Sequence, residues 1–420
     1  MQSLILNAVL FGLIASSFLF PSLLDGYSFL EVFSNRVPVL GFIFVLDELI
    51  VLFGIFLCIL YLLIRRRISS IVTEALPVSI FILYITLIFL ASYGFDVGSG
   101  EFILKNRWIL INSLIFFIPF VVQLTEQDVV SISERFVKIV LFLSVIKIIF
   151  YWFFYGQNSP LSVVSPDFSF YSSIACFLLI LNCSKFMYKA FGFLMAMLVA
   201  ILSSQMSSIV FFLVCVLLAI YGKEYVRVAR IIKYSTLTIF LILVFSYVID
   251  IEEIVQILGL NIQNFNNVFY KIETYFIIWS AAIHSLFGGN FLTGLGPGEV
   301  IEFFYENSDG DLIFHFHSLA HNAFVTVLFL FGVLGLLMYW YILFVPFFKS
   351  ARFKRSFHIL NNLKLLLVAV VINFMTTPGI WKVRKGVVFW LLLGLLYYFV
   401  GLYNRMDRKK VESTTRKIDT

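Results

Sequence analysis

The chain has 420 residues, 61% of them hydrophobic and only 13% charged, with a mean hydropathy of +1.01. Soluble domains carry about 25% charged residues, so a water-soluble globular protein is excluded, and at roughly 20 residues per crossing the length holds about a dozen membrane spans. The net charge of +6 comes from 30 Lys and Arg against 24 Asp and Glu, and where these fall along the chain is more informative than their sum.

Apolar runs predict spans near 4–24, 40–64, 75–93, 108–124, 136–154, 168–183, 190–203, 207–222, 236–251, 321–347, 363–377 and 387–403. The expected fold is an all-α polytopic membrane protein with about twelve transmembrane helices, forming one domain over 1–420. A long extracytoplasmic loop with short amphipathic helices is expected at 252–320, between spans nine and ten, and a basic cytoplasmic tail at 404–420. The first run, MQSLILNAVLFGLIASSFLFPSLL, lacks the basic n-region of a signal peptide and reads as a span. Asp47-Glu48 interrupts the second run; the pair sits at the outer interface if the span begins after Glu48, whereas a carboxylate inside the membrane is a functional suspect. Lys147 in the fifth run reads as a base that snorkels or meets a carboxylate. Cys58, Cys176, Cys183 and Cys215 lie in or at the ends of apolar runs, form no CxxC pair, and suggest neither a disulfide framework nor a metal site.

Orientation follows from the basic residues, which cytoplasmic loops retain. With both termini inside, the cytoplasmic side holds 22 of the 30 Lys and Arg, while 16 of the 24 acids fall on the other face. The loop at 252–320 then faces outward. It holds the amphipathic run VFYKIETYFIIWSAAIHSLF, with Phe269, Ile272, Phe276 and Trp279 at helical spacing, then the turn-rich GGNFLTGLGPGE, then Glu299, Glu302, Glu306, Asp309 and Asp311 before three histidines. A helix lying in the interface fits the amphipathic run. No internal repeat relates the two halves of the chain, which argues against a transporter.

In order, these features are a small polar turn between two spans (ILSSQMSSIV), a Trp-bearing amphipathic segment (IETYFIIWSAAI), a GLGPG turn, and His-Asn leading into a span with paired glycines (HNAFVTVLFLFGVLGLL). Over roughly residues 190 to 347 the chain thereby resembles the O-antigen ligase and polymerase family of integral-membrane glycosyltransferases. The resemblance implies a metal-independent, inverting transfer of a glycan from undecaprenyl diphosphate to a sugar hydroxyl, on the outer face of a bacterial inner membrane. No cofactor and no nucleic acid is implied; the implied partners are the undecaprenyl diphosphate-linked oligosaccharide, membrane lipids and a chain-length regulator protein. Of the two activities, polymerisation of lipid-linked repeat units is the preferred expectation, with ligation to the lipid A core next. A lipid-linked oligosaccharide flippase or other transporter is a further alternative.

The resemblance places the base at His321, beside Asn322. Where the family often carries an arginine in the turn between spans, this chain has Gln205, and the base nearest the loop tryptophan is Lys271. Positive charge for the diphosphate is instead concentrated in TTPGIWKVRKGVVFW, where Lys382, Arg384 and Lys385 fall on the face that basic residues avoid, and more weakly at Lys105 and Arg107. Such an exception needs an anionic partner, either the lipid diphosphate or acids of the protein itself. An imidazole suits proton removal from the acceptor hydroxyl. His317, four residues before His321, would share its face if the helix begins that early, and would serve as a second base. The same i, i+4 spacing permits a zinc reading, but no Glu follows the first His, so no metal is expected.

Overall fold

The structure, a computed structural model, describes residues 2–19, 36–39, 42–65, 70–93, 108–154, 164–203, 205–221, 266–287, 290–297, 299–306, 312–317, 319–350, 358–375, 377 and 379–418. In chain order it contains α1 (Gln2–Leu19), β1 (Arg36–Val39), β2 (Phe42–Val45), α2 (Leu46–Arg65), α3 (Leu76–Tyr93), α4 (Trp108–Leu114), α5 (Ile118–Val122), α6 (Glu126–Phe153), α7 (Pro166–Asn182), α8 (Phe186–Leu202), α9 (Met206–Tyr221), α10 (Asn266–Leu286), β3 (Ile301–Glu306), β4 (Leu312–His317), α11 (Ala323–Ser350), α12 (His358–Phe374) and α13 (Val383–Ile418). Single 3-10 segments cover Ser70–Ala75, Ile115–Phe117 and Gly379–Trp381.

The predicted apolar runs overlap helix, except that 40–64 opens on strand β2 before α2 and that 236–251 lies outside the described residues. Among the described residues, four stretches are long and apolar enough to cross a membrane: Thr73–Ser92, Glu126–Phe153, Ala323–Ser350 and Val383–Asp407. The chain is therefore a helical membrane protein. Large apolar side chains such as Phe53, Leu83, Leu90, Phe142, Trp152, Phe186 and Leu217 point outward on α2, α3, α6, α8 and α9, a surface that hydrocarbon tolerates and water does not.

Two elements modify the all-α expectation. Strands β1 and β2 pair antiparallel in front of α2, and β3 pairs with β4 in the register Ile301↔His317 to Glu306↔Leu312. The segment expected as an acidic loop is thus a hairpin, in which side chains of adjacent residues alternate between faces. The tail expected at 404–420 continues α13 as helix to Ile418.

Burial identifies the centre of the bundle. Within Val383–Asp407, 94% of the apolar window is buried, against 28% for Thr73–Ser92 and for Glu126–Phe153, so α13 is the core helix and α3 and α6 belong to the rim. A Cβ on Gly394 would come within 2.3 Å of the Phe116 carbonyl, so a glycine is what lets α13 press against the 3-10 segment between α4 and α5. Without a hydrophobic force between helices in lipid, such close packing is what holds them together.

Side-chain bonds sort the helix ends into two levels. At one level Arg384, at the start of α13, reaches Ser16 near the end of α1 and Asp47 and Asp167 at the starts of α2 and α7. At the other, Tyr403 donates to Glu126 at the start of α6, Lys349 near the end of α11 meets Glu74 ahead of α3, and Asn362 near the start of α12 bonds Asn182 at the end of α7.

The run predicted as the tenth span, 321–347, does not cross as one straight helix. Phe324 and Tyr339 are fifteen residues apart, which a straight helix would separate by about 22 Å, yet their ring centroids lie 5.4 Å apart. The reversal is at Gly332, whose φ of 65° and ψ of −170° break α11 into two arms that fold back on each other. A break exposes backbone groups that must be satisfied in a membrane. The preceding loop does this: Leu295 N and Gly296 N donate to the carbonyls of Phe329 and Leu330, while Val333 N and Leu334 N donate to those of Phe291 and Leu292, all at 3.0–3.2 Å. Tyr84 of α3 supplies a further bond, 2.8 Å, to the Phe331 carbonyl.

Candidate functional site

The first turn of α13 is unusual in its charge. Lys382, Arg384 and Lys385 surround the amino end of a helix, whose dipole already favours anions there. Burying cations at such a place requires compensation, and it comes from two carboxylates that are themselves well placed by their helices. Asp47 and Asp167 each occupy the first turn of a helix, α2 and α7, where the dipole stabilises negative charge. Ser165 caps α7 by accepting from Phe168 N at 3.1 Å.

Arg384 donates from Nε to Asp47 Oδ2 at 2.9 Å and from Nη2 to Ser16 Oγ and Ser16 O at 3.2 and 3.3 Å; its Nη1 lies 3.6 Å from Asp167 Oδ2. Lys385 Nζ is 4.0 Å from Asp167 Oδ1 and 5.4 Å from the centre of the Phe170 ring. Asp167 also lies in the field of Lys382. Arg384 is 4% exposed and Lys385 3%, whereas Lys382 is half-buried. Tyr171 donates to the Arg384 carbonyl at 3.0 Å, and Asn112 of α4 donates to the Lys382 carbonyl at 3.4 Å, which hold the turn in place.

The same assembly closes the end of α1, whose last carbonyls have no partner within their own helix. The Ser16 carbonyl accepts from Arg384, that of Ser17 from Ser165 Oγ at 3.1 Å, and that of Phe18 from Lys147 Nζ at 3.0 Å. Lys147 thus neither reaches headgroups nor meets a carboxylate as expected; it is fully buried and caps α1, lying 5.0 Å from the Phe18 ring centre.

The anionic partner demanded by Lys382, Arg384 and Lys385 is therefore partly internal. Among the described residues, three cations thus gather with two carboxylates at a helix amino end. Asp47 Oδ1, Asp167 Oδ1 and Asn112 Oδ1 have no hydrogen-bond partner among the described residues, so acceptors remain beside the cations. No family model matches this chain, and no curated protein matches it.

The second part of the site is the turn before α11. Asn322 caps the helix, its Oδ1 accepting from Phe324 N and Val325 N at 2.9 and 3.2 Å, and Thr326 Oγ1 accepts from Ala320 N at 3.0 Å. This uses the amide oxygen of Asn322 as the cap of α11. His321 is half-buried with φ of 52°, in the left-handed region that side chains other than glycine rarely adopt. Its ring centre lies 5.5 Å from that of Tyr275, and Trp279 of α10 donates to the Ala320 carbonyl at 2.7 Å.

The two parts connect through the core: Phe324 packs on Tyr339, and Tyr339 on Phe389, which follows Arg384 on α13. Gln205 is exposed in the turn between α8 and α9, at the cluster's end of the bundle, since Phe211 of α9 stacks on Phe170 with centroids 4.7 Å apart.

His317 does not share a helix face with His321. It ends β4, and α11 begins only at Ala323, because the strand LIFHFH pairs with IEFFYE before the chain can turn helical. The i, i+4 metal spacing loses its basis for the same reason. Lys105 and Arg107 lie outside the described residues, as do the side chains of Lys271, His317 and Glu48. Asp167, Ser16, Tyr171 and Asn112 were not singled out from sequence. For Asp167 a signal exists in Ser165-Pro166-Asp167 ahead of an apolar run, a helix-start signature that carries a carboxylate into the first turn.

Proposed function

We propose that this protein is a surface-polysaccharide polymerase of the O-antigen kind. It would move a glycan from undecaprenyl diphosphate to a hydroxyl of another lipid-linked repeat unit on the outer face of a bacterial inner membrane. The observation that carries the reading is the gathering of Lys382, Arg384 and Lys385 at the amino end of α13, because a lipid diphosphate is a multivalent anion presented at the membrane edge. The acceptor oxygen bonds to the donor's anomeric carbon as the bond from that carbon to the diphosphate oxygen breaks; His321 takes the hydroxyl proton, and the diphosphate leaves with the electron pair. Cations fixed in a low-dielectric setting stabilise charge that grows on that leaving group.

The geometry supports a division of labour among the cations. Arg384 and Lys385 are enclosed with Asp47 and Asp167, so they act as positioning residues that set the field and hold the turn. Lys382, half-buried at the cluster's edge, is the residue assigned to contact the donor. Ligation to the lipid A core uses the same donor chemistry and is the second reading. The flippase reading is disfavoured because, among the described residues, the buried ionic groups Asp47, Lys147, Asp167, Arg384 and Lys385 gather at one level, with Lys364 of α12 the exception.

The test is deletion of the gene in its native strain, complementation with wild type, His321→Ala or Lys382→Ala, and display of the surface polysaccharide on a gel. Single repeat units on the lipid A core after deletion identify a polymerase. A bare core with long polymer left on carrier lipid identifies a ligase. An unchanged ladder after deletion overturns both.

A further inference from the structure

At the end of the bundle away from Arg384, a cavity of about 960 Å³ opens between α6, α7 and α8, within the size range of ligand sites. The three helices meet at Gly192, where a Cβ would lie 2.4 Å from Leu179 Cδ2 and 3.9 Å from Leu141 Cδ2. Beside that contact they leave a groove with an apolar wall that includes Leu141, Phe142, Val145 and Phe191.

Its other end is polar, with Glu134 and Lys138 one turn apart on α6 and Asn182 and Lys185 at the connection from α7 to α8. That connection is held on both sides: Asn182 Oδ1 accepts from Asn362 at 3.0 Å, and Cys183 Sγ lies 3.8 Å from the Lys185 carbonyl. Phe142 is 65% exposed and Tyr188, whose ring centre is 5.7 Å from Lys185 Nζ, is 57% exposed, so the groove is open to the surrounding hydrocarbon.

An occupant of this groove has to be amphiphilic. Among the described residues lining it, two cations against one carboxylate leave one positive charge at the polar end, which matches the single negative charge of a phosphodiester. The apolar wall begins directly beside that end, as an acyl chain begins beside a headgroup. We infer that the groove is a binding site for an anionic phospholipid of the surrounding bilayer, with its phosphate between Lys138 and Lys185 and an acyl chain along Leu141, Phe142 and Phe191. The site is separate from the cluster at Arg384 and does not depend on the glycosyltransferase reading.

The experiment is native mass spectrometry of the full-length protein in detergent, titrated with phosphatidylglycerol or with zwitterionic phosphatidylcholine. Wild type is expected to retain phosphatidylglycerol in preference, and removal of each lysine in Lys138→Gln and Lys185→Gln lowers that retention by roughly fivefold while phosphatidylcholine is unaffected. Because both lysines are exposed, the variants fold. Arg135→Gln with Lys189→Gln removes two neighbouring charges outside the groove and is expected to keep the wild-type preference. Equal retention of the two lipids by wild type overturns the inference. So does a double lysine variant that holds phosphatidylglycerol as wild type does, or an equal loss in the control.

Discussion

At His321 and Arg384 the sequence and the structure ask different questions of a side chain. The left-handed backbone of His321 costs an ordinary residue about 1–2 kcal/mol relative to glycine, and strain of this kind gathers at functional sites. His321→Gly is therefore expected to leave the unfolding midpoint of the detergent-solubilised protein near wild type, His321→Ala to lower it, and both to abolish polymer formation in the complemented strain. A glycine variant with a normal ladder would remove His321 as the base. For the cations the expectation divides by burial. Arg384→Met strands Asp47 and Asp167 without their main partner, a change that costs about 3–5 kcal/mol in buried pairs, whereas Lys382→Met is expected to keep the fold and lose product. Comparable thermal stability of the two variants would contradict the division between positioning and donor contact. Arg384 was legible in the sequence because basic residues on the outer side break a compositional bias. Asp167 was not, since its partner lies 217 positions away and nothing local marks a carboxylate as paired.

Among the elements, α11 shows what hydropathy conceals. A window sees a 28-residue apolar helix and reports one span, because folding an apolar helix back on itself changes no residue's hydrophobicity. The glycines held the information: Gly294, Gly296 and Gly332 all have positive φ, and a Cβ on Gly332 would sit 2.3 Å from the Leu292 carbonyl oxygen. The GLGPG turn and the paired glycines, noticed separately in the sequence, thus form two sides of one contact. Gly332→Ala is expected to destabilise the protein by about 2 kcal/mol or more, read as a lower thermal midpoint in micelles. Gly54→Ala is the comparison, since there the clash is with a methyl of Val9 that can move aside, and its cost is expected to be smaller. Equal midpoints would mean that the folded-back arms are not the native arrangement. The β3–β4 hairpin was legible and overlooked: NSDGD between alternating strands is a turn signal, but the acidic composition drew attention away from the alternation.

For the molecule as a whole, the two levels of helix ends make orientation a testable property rather than a reading of charge alone. Lys349 ties the far end of α11 to the level of Glu74 and Asn182, so Gly332 and the turn at Asn290 belong to the level of Arg384, and Cys183, at the end of α7, to the opposite one. If cytoplasmic loops retain Lys and Arg, the Cys183 level is the cytoplasmic one. Of the four cysteines, Cys58, Cys176 and Cys215 are buried and Cys183 is partly exposed, which gives the wild-type chain a built-in reporter. A membrane-impermeant maleimide is expected to leave wild type unlabelled in intact cells and to label Cys183 only after permeabilisation. Asn290→Cys, at an exposed position in the turn that braces Gly332, is expected to label in intact cells. The reverse pattern would put the Arg384 cluster on the cytoplasmic side, where a glycan carried outward on its lipid is no longer presented, and the proposed transfer would fail with it. The expected pattern would leave the cations of α13 facing the side to which lipid-linked glycans are delivered, and that is the condition the proposed chemistry cannot do without.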